Sequence, residues 1–475
     1  MRRAARCGRP GQDRNRLCRG ASWGCAVLFG LLVPLAGGSG CRGSKEPPPV
    51  VLIVIDTLRW DRLSLSGYVR PTSPKIDRFA ADAVVFERAF APASWTRPSV
   101  AALLTGLDAR KHGAVHWDEG LGPVETLAEN LARAGYRSQA WITNPFLKGG
   151  GFDRGFDRFE KLCLGRGFGV TGAEVTALVM AEAVVGPATL NWIHFIDPHD
   201  PYQPSEAARA DLVRPYAGTA SGETRFVRGP LMSGEFLPSA EDVGYLSDLY
   251  DAEIRTVDQA VGKLLDWLRS TGAYDRALVV LTSDHGEEFR EHGGWLHGFT
   301  LYEEQIHVPL IIKPPSSLGA AVGRHSQPVS LLDVVPTVLE IASLPLPEGL
   351  DGRSLVPDLL GRPSPPPSPR TIFALEPLAG RDGPTGMAYA GRSNGLKWIE
   401  VDGRYPGREA PPFGECYDLG ADPGEQRNLA NAERGPCAEL ARRVGSWRGG
   451  GVEAGEPLRL EPGERERLRA IGYAH

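Results

Sequence analysis

No two cysteines in this 475-residue chain are spaced as CxxC, so a zinc ribbon is unsupported. A basic surplus is missing as well. The net charge is −5, of which the first forty residues contribute +6, leaving −11 on the remainder. An acidic body lacks the footprint that nucleic acid requires, so no nucleic-acid partner is expected. No repeat of fixed period is present. The apolar run Cys25–Ala36, CAVLFGLLVPLA, is about a dozen residues long and too short to span a bilayer comfortably.

What is present is an ordinary globular composition, 42% hydrophobic and 23% charged, which allows a large core. The 58 glycines and 40 prolines imply many long loops. Arg2, Arg3, Arg6, Arg9, Arg14, Arg16 and Arg19 precede the apolar run, and small residues follow it. That order reads as a secretory signal over residues 1–40 and predicts an exported protein, periplasmic or membrane-anchored. Gly38-Ser39-Gly40-Cys41 resembles a lipoprotein cleavage site, with Gly38 a poor match where an aliphatic residue is usual. Membrane attachment through a lipidated Cys41 is therefore one expectation, with residues 41–49 as a stiff Pro-rich tether. Beyond the leader only Cys41, Cys163, Cys416 and Cys437 remain, and an oxidising compartment would permit Cys416 to pair with Cys437.

Val50–Ile55, VVLIVI, is a continuous β-branched run of the kind that forms a strand buried on both faces. Similar runs occur at Gln139–Thr143, Leu190–Phe195, Ala277–Thr282 and Val308–Lys313. Helical periodicity separates them. It places Leu127, Leu131 and Ala134 on one face, and Leu246, Leu249, Val257, Val261, Leu264 and Leu268 on another. Alternating strands and helices predict an α/β fold over residues 50–360, a large mostly parallel or mixed sheet between helices. Ser205–Asp242 breaks the pattern and reads as a surface insertion. The Pro-rich stretch 361–370 reads as a linker to a smaller C-terminal α+β subdomain, residues 371–475.

Ligands of open parallel sheets gather at the carboxyl ends of the strands. Asp56 ends the first run, and Asp284-His285 ends ALVVLTS. Taken singly, each Asp reads as a turn cap; together with an imidazole they suit a divalent cation. In SWTRPSVAALLTG, Pro98 fits the first turn of a helix, with Thr96 or Arg97 at its N-cap. A hydroxyl there faces unpaired N–H groups, a setting that suits an anionic tetrahedral ester, although an ordinary Thr cap is the commoner case.

TRPSVAALLTG resembles the sulfatase signature C/S-x-P-S-R-x-x-x-L-T-G, within the alkaline-phosphatase superfamily. VLIVIDTLRWDRLSLSGYVRPTSPKIDRFA, SDHGEEFREHGGWLHGFTLYEEQIHVPLII and ECYDLGADPGEQRNLA resemble further blocks of that family, in family order. The resemblance implies a metal-dependent ester hydrolase with an alkaline-phosphatase-like fold. It implies Asp56, Asp284 and His285 as metal ligands and Thr96 as nucleophile and further ligand, with Thr57 a weaker ligand where many relatives have a second Asp. His199 matches a histidine that binds the ester or protonates its leaving group. His297 falls where a basic residue contacts the anion, and His112 matches a recurrent histidine near the pocket. One divalent ion is implied, Mn or Zn favoured over Ca or Mg.

Thr96 departs from the Cys or Ser that the family oxidises to formylglycine, so no formylglycine is expected. Val100 replaces the signature Arg, and WITNPF stands where many relatives have GKWHLG. A sulfated Thr lacks the elimination route of a formylglycine hydrate, whereas a phosphorylated Thr is resolved by attack at phosphorus. Phosphoric or phosphonic esters of a small molecule, glycan or lipid are the favoured substrates. Sulfuric ester hydrolysis, phospho-group transfer on the cell envelope and a vestigial binding site stay open as alternatives.

Overall fold

The computed structural model describes residues 46–163, 169–223, 237–362, 370–380, 383–405, 411, 413–450 and 456–457. The leader with Cys41, the middle of the Ser205–Asp242 insertion and most of the 361–370 stretch lie outside the described residues.

A sheet of nine strands organises the body. In chain order they are β1 (Val50–Ile55), β2 (Val84–Phe90), β3 (Arg137–Ile142), β4 (Arg158–Lys161), β5 (Thr189–Phe195), β6 (Leu278–Ser283), β7 (His307–Lys313), β8 (Gly323–His325) and β9 (Val329–Ser330). Across the sheet they lie in the order β8-β2-β7-β6-β1-β5-β3-β4, with β9 also paired to β2. Only β7 runs against its neighbours; the other pairings are parallel. The sheet is mixed and mostly parallel, as the strand–helix alternation predicts. Strand β2, VVFERAF, was not among the expected runs, because Glu87 and Arg88 interrupt its apolar stretch.

The central strand shows why VVLIVI is apolar throughout. Val50, Leu52 and Val54 enter one core, whereas Val51, Ile53 and Ile55 enter the other. All six residues are buried, each contributing about 1.5–3 kcal/mol of apolar burial. The first core packs under helix α1 (Thr96–Thr105) and the second under helix α2 (Ala240–Ser270). The predicted stripe on α2, Leu246 through Leu268, is buried as expected. The helix begins at Ala240, ahead of that stripe, where Ser239 and Asp242 form a capping box. No helix among the described residues is long and apolar enough to cross a membrane.

Residues 372–418 supply a four-stranded antiparallel sheet, Ile372–Gly380, Gly383–Ser393, Leu396–Gly403 and Glu415–Asp418. Helix Ala438–Arg448 covers it through Leu440, Ala441 and Val444. A Cys416–Cys437 disulfide ties the last strand to the start of this helix, and Cys163 is a buried free thiol.

This sheet is anchored to the body by polar contacts. Glu303 receives Arg392 and Lys397, and Tyr302 donates to Glu415. Glu376 Oε2 accepts from both the amide (2.8 Å) and hydroxyl (2.9 Å) of Ser94, two residues before Thr96. Burial pushes the Glu376 carboxyl up to about 8, against the opposing pull of the Ser94 hydrogen bonds. A folded-state value above the unfolded one means that this group's stabilising contribution is present below about pH 4.5 and is lost as pH rises through about 8. Glu376→Gln, which keeps an acceptor for Ser94 and cannot ionise, should therefore melt higher than the parent at pH 9. The gain should be at least about 1 kcal/mol and should shrink at pH 6. Melting curves at the two pH values check this.

Candidate active site

Parallel pairing brings three strand ends into one place. Ile55 is in register with Phe195 on β5 and with Ser283 on β6. Asp56, His194 and Asp284 therefore converge, each fully buried, with ligand atoms within 4.8 Å of one another.

The turn after β1 is held from several sides. Thr57 has φ +54°, a left-handed conformation that costs a β-branched residue about 1–3 kcal/mol. Tyr250 of α2 offsets that cost by donating to Thr57 O (2.6 Å) and accepting from Arg59 N–H (3.1 Å). Ser283 accepts from Leu58 N–H (2.8 Å) and donates to His285 O (2.6 Å), joining the turns after β1 and β6.

Each carboxylate has one oxygen fixed by amides and one left over. Asp56 Oδ2 accepts from Asn144 Nδ2 (2.7 Å), and Asp284 Oδ1 accepts from the backbone N–H of Thr57 (3.3 Å) and His285 (3.0 Å). Asp56 Oδ1, Asp284 Oδ2, His194 Nε2 and Thr57 Oγ1 are buried with no hydrogen-bond partner. Burial, reinforced by the nearby Asp284 charge, raises the Asp56 pKa well above the carboxylate range. Burial likewise pulls His194 down to about 4, which keeps its imidazole neutral. Unpartnered carboxylate oxygens facing a neutral imidazole make a donor set that can hold a metal ion.

Helix α1 begins at Thr96. Its N-cap is Trp95, without a side-chain capping bond, rather than Thr96 or Arg97. Thr96 Oγ1 is thus not spent on the helix. It lies 3.3 Å from His285 Nε2 and accepts from Asn144 Nδ2 at 3.1 Å. His285 Nε2 is also 3.6 Å from Asp56 Oδ1 and 3.5 Å from Asp284 Oδ2. Arg97 is buried and turns away, donating to Phe146 O (2.6 Å) and Glu119 O.

His297 lies beside this group, its ring tilted against both neighbours, 4.5 Å from His285 and 4.9 Å from His199. Glu287, fully buried, accepts from His297 Nδ1 (2.8 Å) and from the Tyr202 hydroxyl (3.3 Å). His199 Nδ1 meets the Asp200 carbonyl. The structure thus brings together Asp56, Thr57, Thr96, Asp284, His285, His297 and His199. His112 stands apart, accepting from Ala114 N–H (3.2 Å), and none of its hydrogen bonds reaches Asp56, Thr96 or Asp284. Burial takes its pKa to about 4, against Asp108 and the Pro98 backbone.

Sequence reasoning did not single out His194, Asn144 or Glu287. His194 carried no distinctive signal, since Thr189 and Asn191 also interrupt its buried strand, and Asn144 shows only as a polar residue just past the end of β3.

A family model described as Sulfatase matches residues 48–344. Human arylsulfatase A is 28% identical over 470 residues, covering 87% of this chain and 89% of that protein. Arylsulfatase K of Danio rerio is 32% identical over 216 residues, covering 45% of this chain but only 39% of that protein. Among solved structures, a phosphonate monoester hydrolase of Agrobacterium radiobacter superimposes with a TM-score of 0.67 at 22% identity, over 85% of this chain and 96% of that one. With the family match spanning most of the sheet and every strand end that bears the buried carboxylates, this chain belongs to the sulfatase family.

Proposed function

We propose that this protein is an exported ester hydrolase that cleaves phosphoric or phosphonic esters through attack by Thr96. The placement of Thr96 Oγ1 carries the reading: it lies at the start of a ten-residue helix, between Asn144 Nδ2 and His285 Nε2, beside two inward carboxylates. Export is supported by the arginine-led apolar segment, Cys25–Ala36.

Asp56, His194, Asp284 and His285 would hold a divalent ion, which when bound lowers the pKa of the Thr96 hydroxyl and polarises the ester. The Asn144 amide donates to Thr96 Oγ1 and fixes that oxygen beside His285 Nε2, and the hydroxyl proton leaves to solvent as Thr96 ionises. The Thr96 oxygen then bonds to phosphorus as the bond to the leaving oxygen breaks. His297, oriented by Glu287, faces the charge that develops on the phosphoryl oxygens, together with the helix N–H groups. His199 donates the proton that the departing alkoxide needs. Water bonding to phosphorus releases Thr96 and completes hydrolysis.

Sulfuric esters form the second reading, supported by the arylsulfatases among the relatives. Thr96 weighs against it, because a sulfated threonine has no second hydroxyl through which to eliminate sulfate.

A panel of aryl sulfate, phosphate monoester, phosphate diester and phosphonate monoester should give the highest kcat/KM on a phosphorus ester. A preference for aryl sulfate would reverse the assignment. Thr96→Ala should cut turnover by at least about 10³-fold with an unchanged melting curve. Asn144→Ala should lower kcat by about 10²-fold with little change in KM, since it aims the nucleophile rather than holding the ester. Steady-state kinetics of both variants check this.

A further inference from the structure

The site contains a proton inventory that fixes which atom of His194 faces the carboxylates. Thr143, the residue after β3, sends its hydroxyl to two atoms of His194 on neighbouring β5: the carbonyl oxygen at 2.9 Å and Nδ1 at 3.0 Å. A carbonyl only accepts, so the single hydroxyl proton of Thr143 is committed to it. Thr143 Oγ1 must then accept at Nδ1, which places the imidazole proton there and leaves a lone pair on Nε2.

That lone pair points at oxygen. Nε2 is 3.7 Å from Asp56 Oδ2, beyond hydrogen-bond reach, and has no hydrogen-bond partner. Asp56 Oδ1 and Asp284 Oδ2 are equally without one. Three electron-pair donors, two oxygens and one nitrogen, converge in a fully buried space. A cation is the one kind of occupant that satisfies all three.

We infer that His194 is a nitrogen ligand of the metal centre and that Thr143 is the positioning residue that makes it one, tuning the site to borderline divalent cations such as Zn²⁺ or Mn²⁺ over Ca²⁺ or Mg²⁺. Hard cations prefer all-oxygen shells, whereas imidazole nitrogen favours the borderline ions. A hydrogen bond to the far ring nitrogen orients the ligand and raises its basicity. The inference rests on the reading of this pocket as a metal centre. Its test contains no ester, so failure of the hydrolase assignment would leave the outcome unaffected.

The metal-stripped full chain is titrated separately with Zn²⁺ and Ca²⁺ against a competing chelator, and circular dichroism melting confirms that each variant is folded. Wild type should bind Zn²⁺ at least about 100-fold more tightly than Ca²⁺. His194→Ala should lower Zn²⁺ affinity by about 100-fold and Ca²⁺ affinity by less than about tenfold. Thr143→Val, which removes the acceptor, should weaken Zn²⁺ by about 10- to 100-fold, and Thr143→Ser, which keeps it, should restore binding to within about threefold. Unchanged Zn²⁺ affinity in His194→Ala would overturn the ligand role. Equal affinities in Thr143→Val and Thr143→Ser would overturn the positioning role. If His194→Ala does not fold, the Thr143 pair decides alone.

Discussion

Two carboxylates that cannot avoid each other set the terms for the rest of this molecule. β1 and β6 are parallel neighbours, so whatever follows Ile55 and Ser283 must emerge side by side. Asp56 and Asp284 do so with no solvent exposure. Burial and the neighbouring Asp284 charge both act against the charged form of Asp56. Their surroundings answer this cost in stages. Amides from Asn144, Thr57 and His285 satisfy one oxygen of each, the His285 imidazole approaches the other two, and His194 lies beside Asp56 Oδ2.

Holding those groups at fixed distances needs a rigid frame, and the frame is drawn from both faces of the sheet. Tyr250 reaches in from one layer of helices and Thr96 from the other. The strained Thr57 backbone persists because its carbonyl, the following amides and the neighbouring Ser283 are all engaged. A catalytic group placed this way is positioned by packing rather than by a loop, which suits chemistry in which small displacements are costly.

The central architecture was legible because buried parallel strands write themselves as unbroken apolar runs rich in β-branched residues, and VVLIVI is such a run. The carboxyl ends of those runs then pointed to Asp56 and Asp284. Strand β2 was harder to see, since Glu87 and Arg88 sit in its middle. The start of α1 was misplaced by one or two residues because the helix uses Trp95 at its cap without a side-chain bond, and cap preferences carry no signal for that. His194 and Asn144 escaped because their importance lies in which strand ends adjoin, a property of sheet order rather than of local sequence. Glu287 acts through His297, ten positions away, across an irregular segment that no periodicity describes.

The bond between Glu376 and Ser94 joins positions 282 residues apart. The turn that presents Thr96 is therefore completed by a segment synthesised near the end of the chain. Contacts of such separation are the slowest to form. While the first three hundred residues emerge, they can assemble the central strands, yet the turn before Thr96 still lacks its outer support. Activity would then arise late, as a property of the nearly finished polypeptide, and a chain interrupted before its final sheet would carry every candidate catalytic side chain without the scaffold that aligns them.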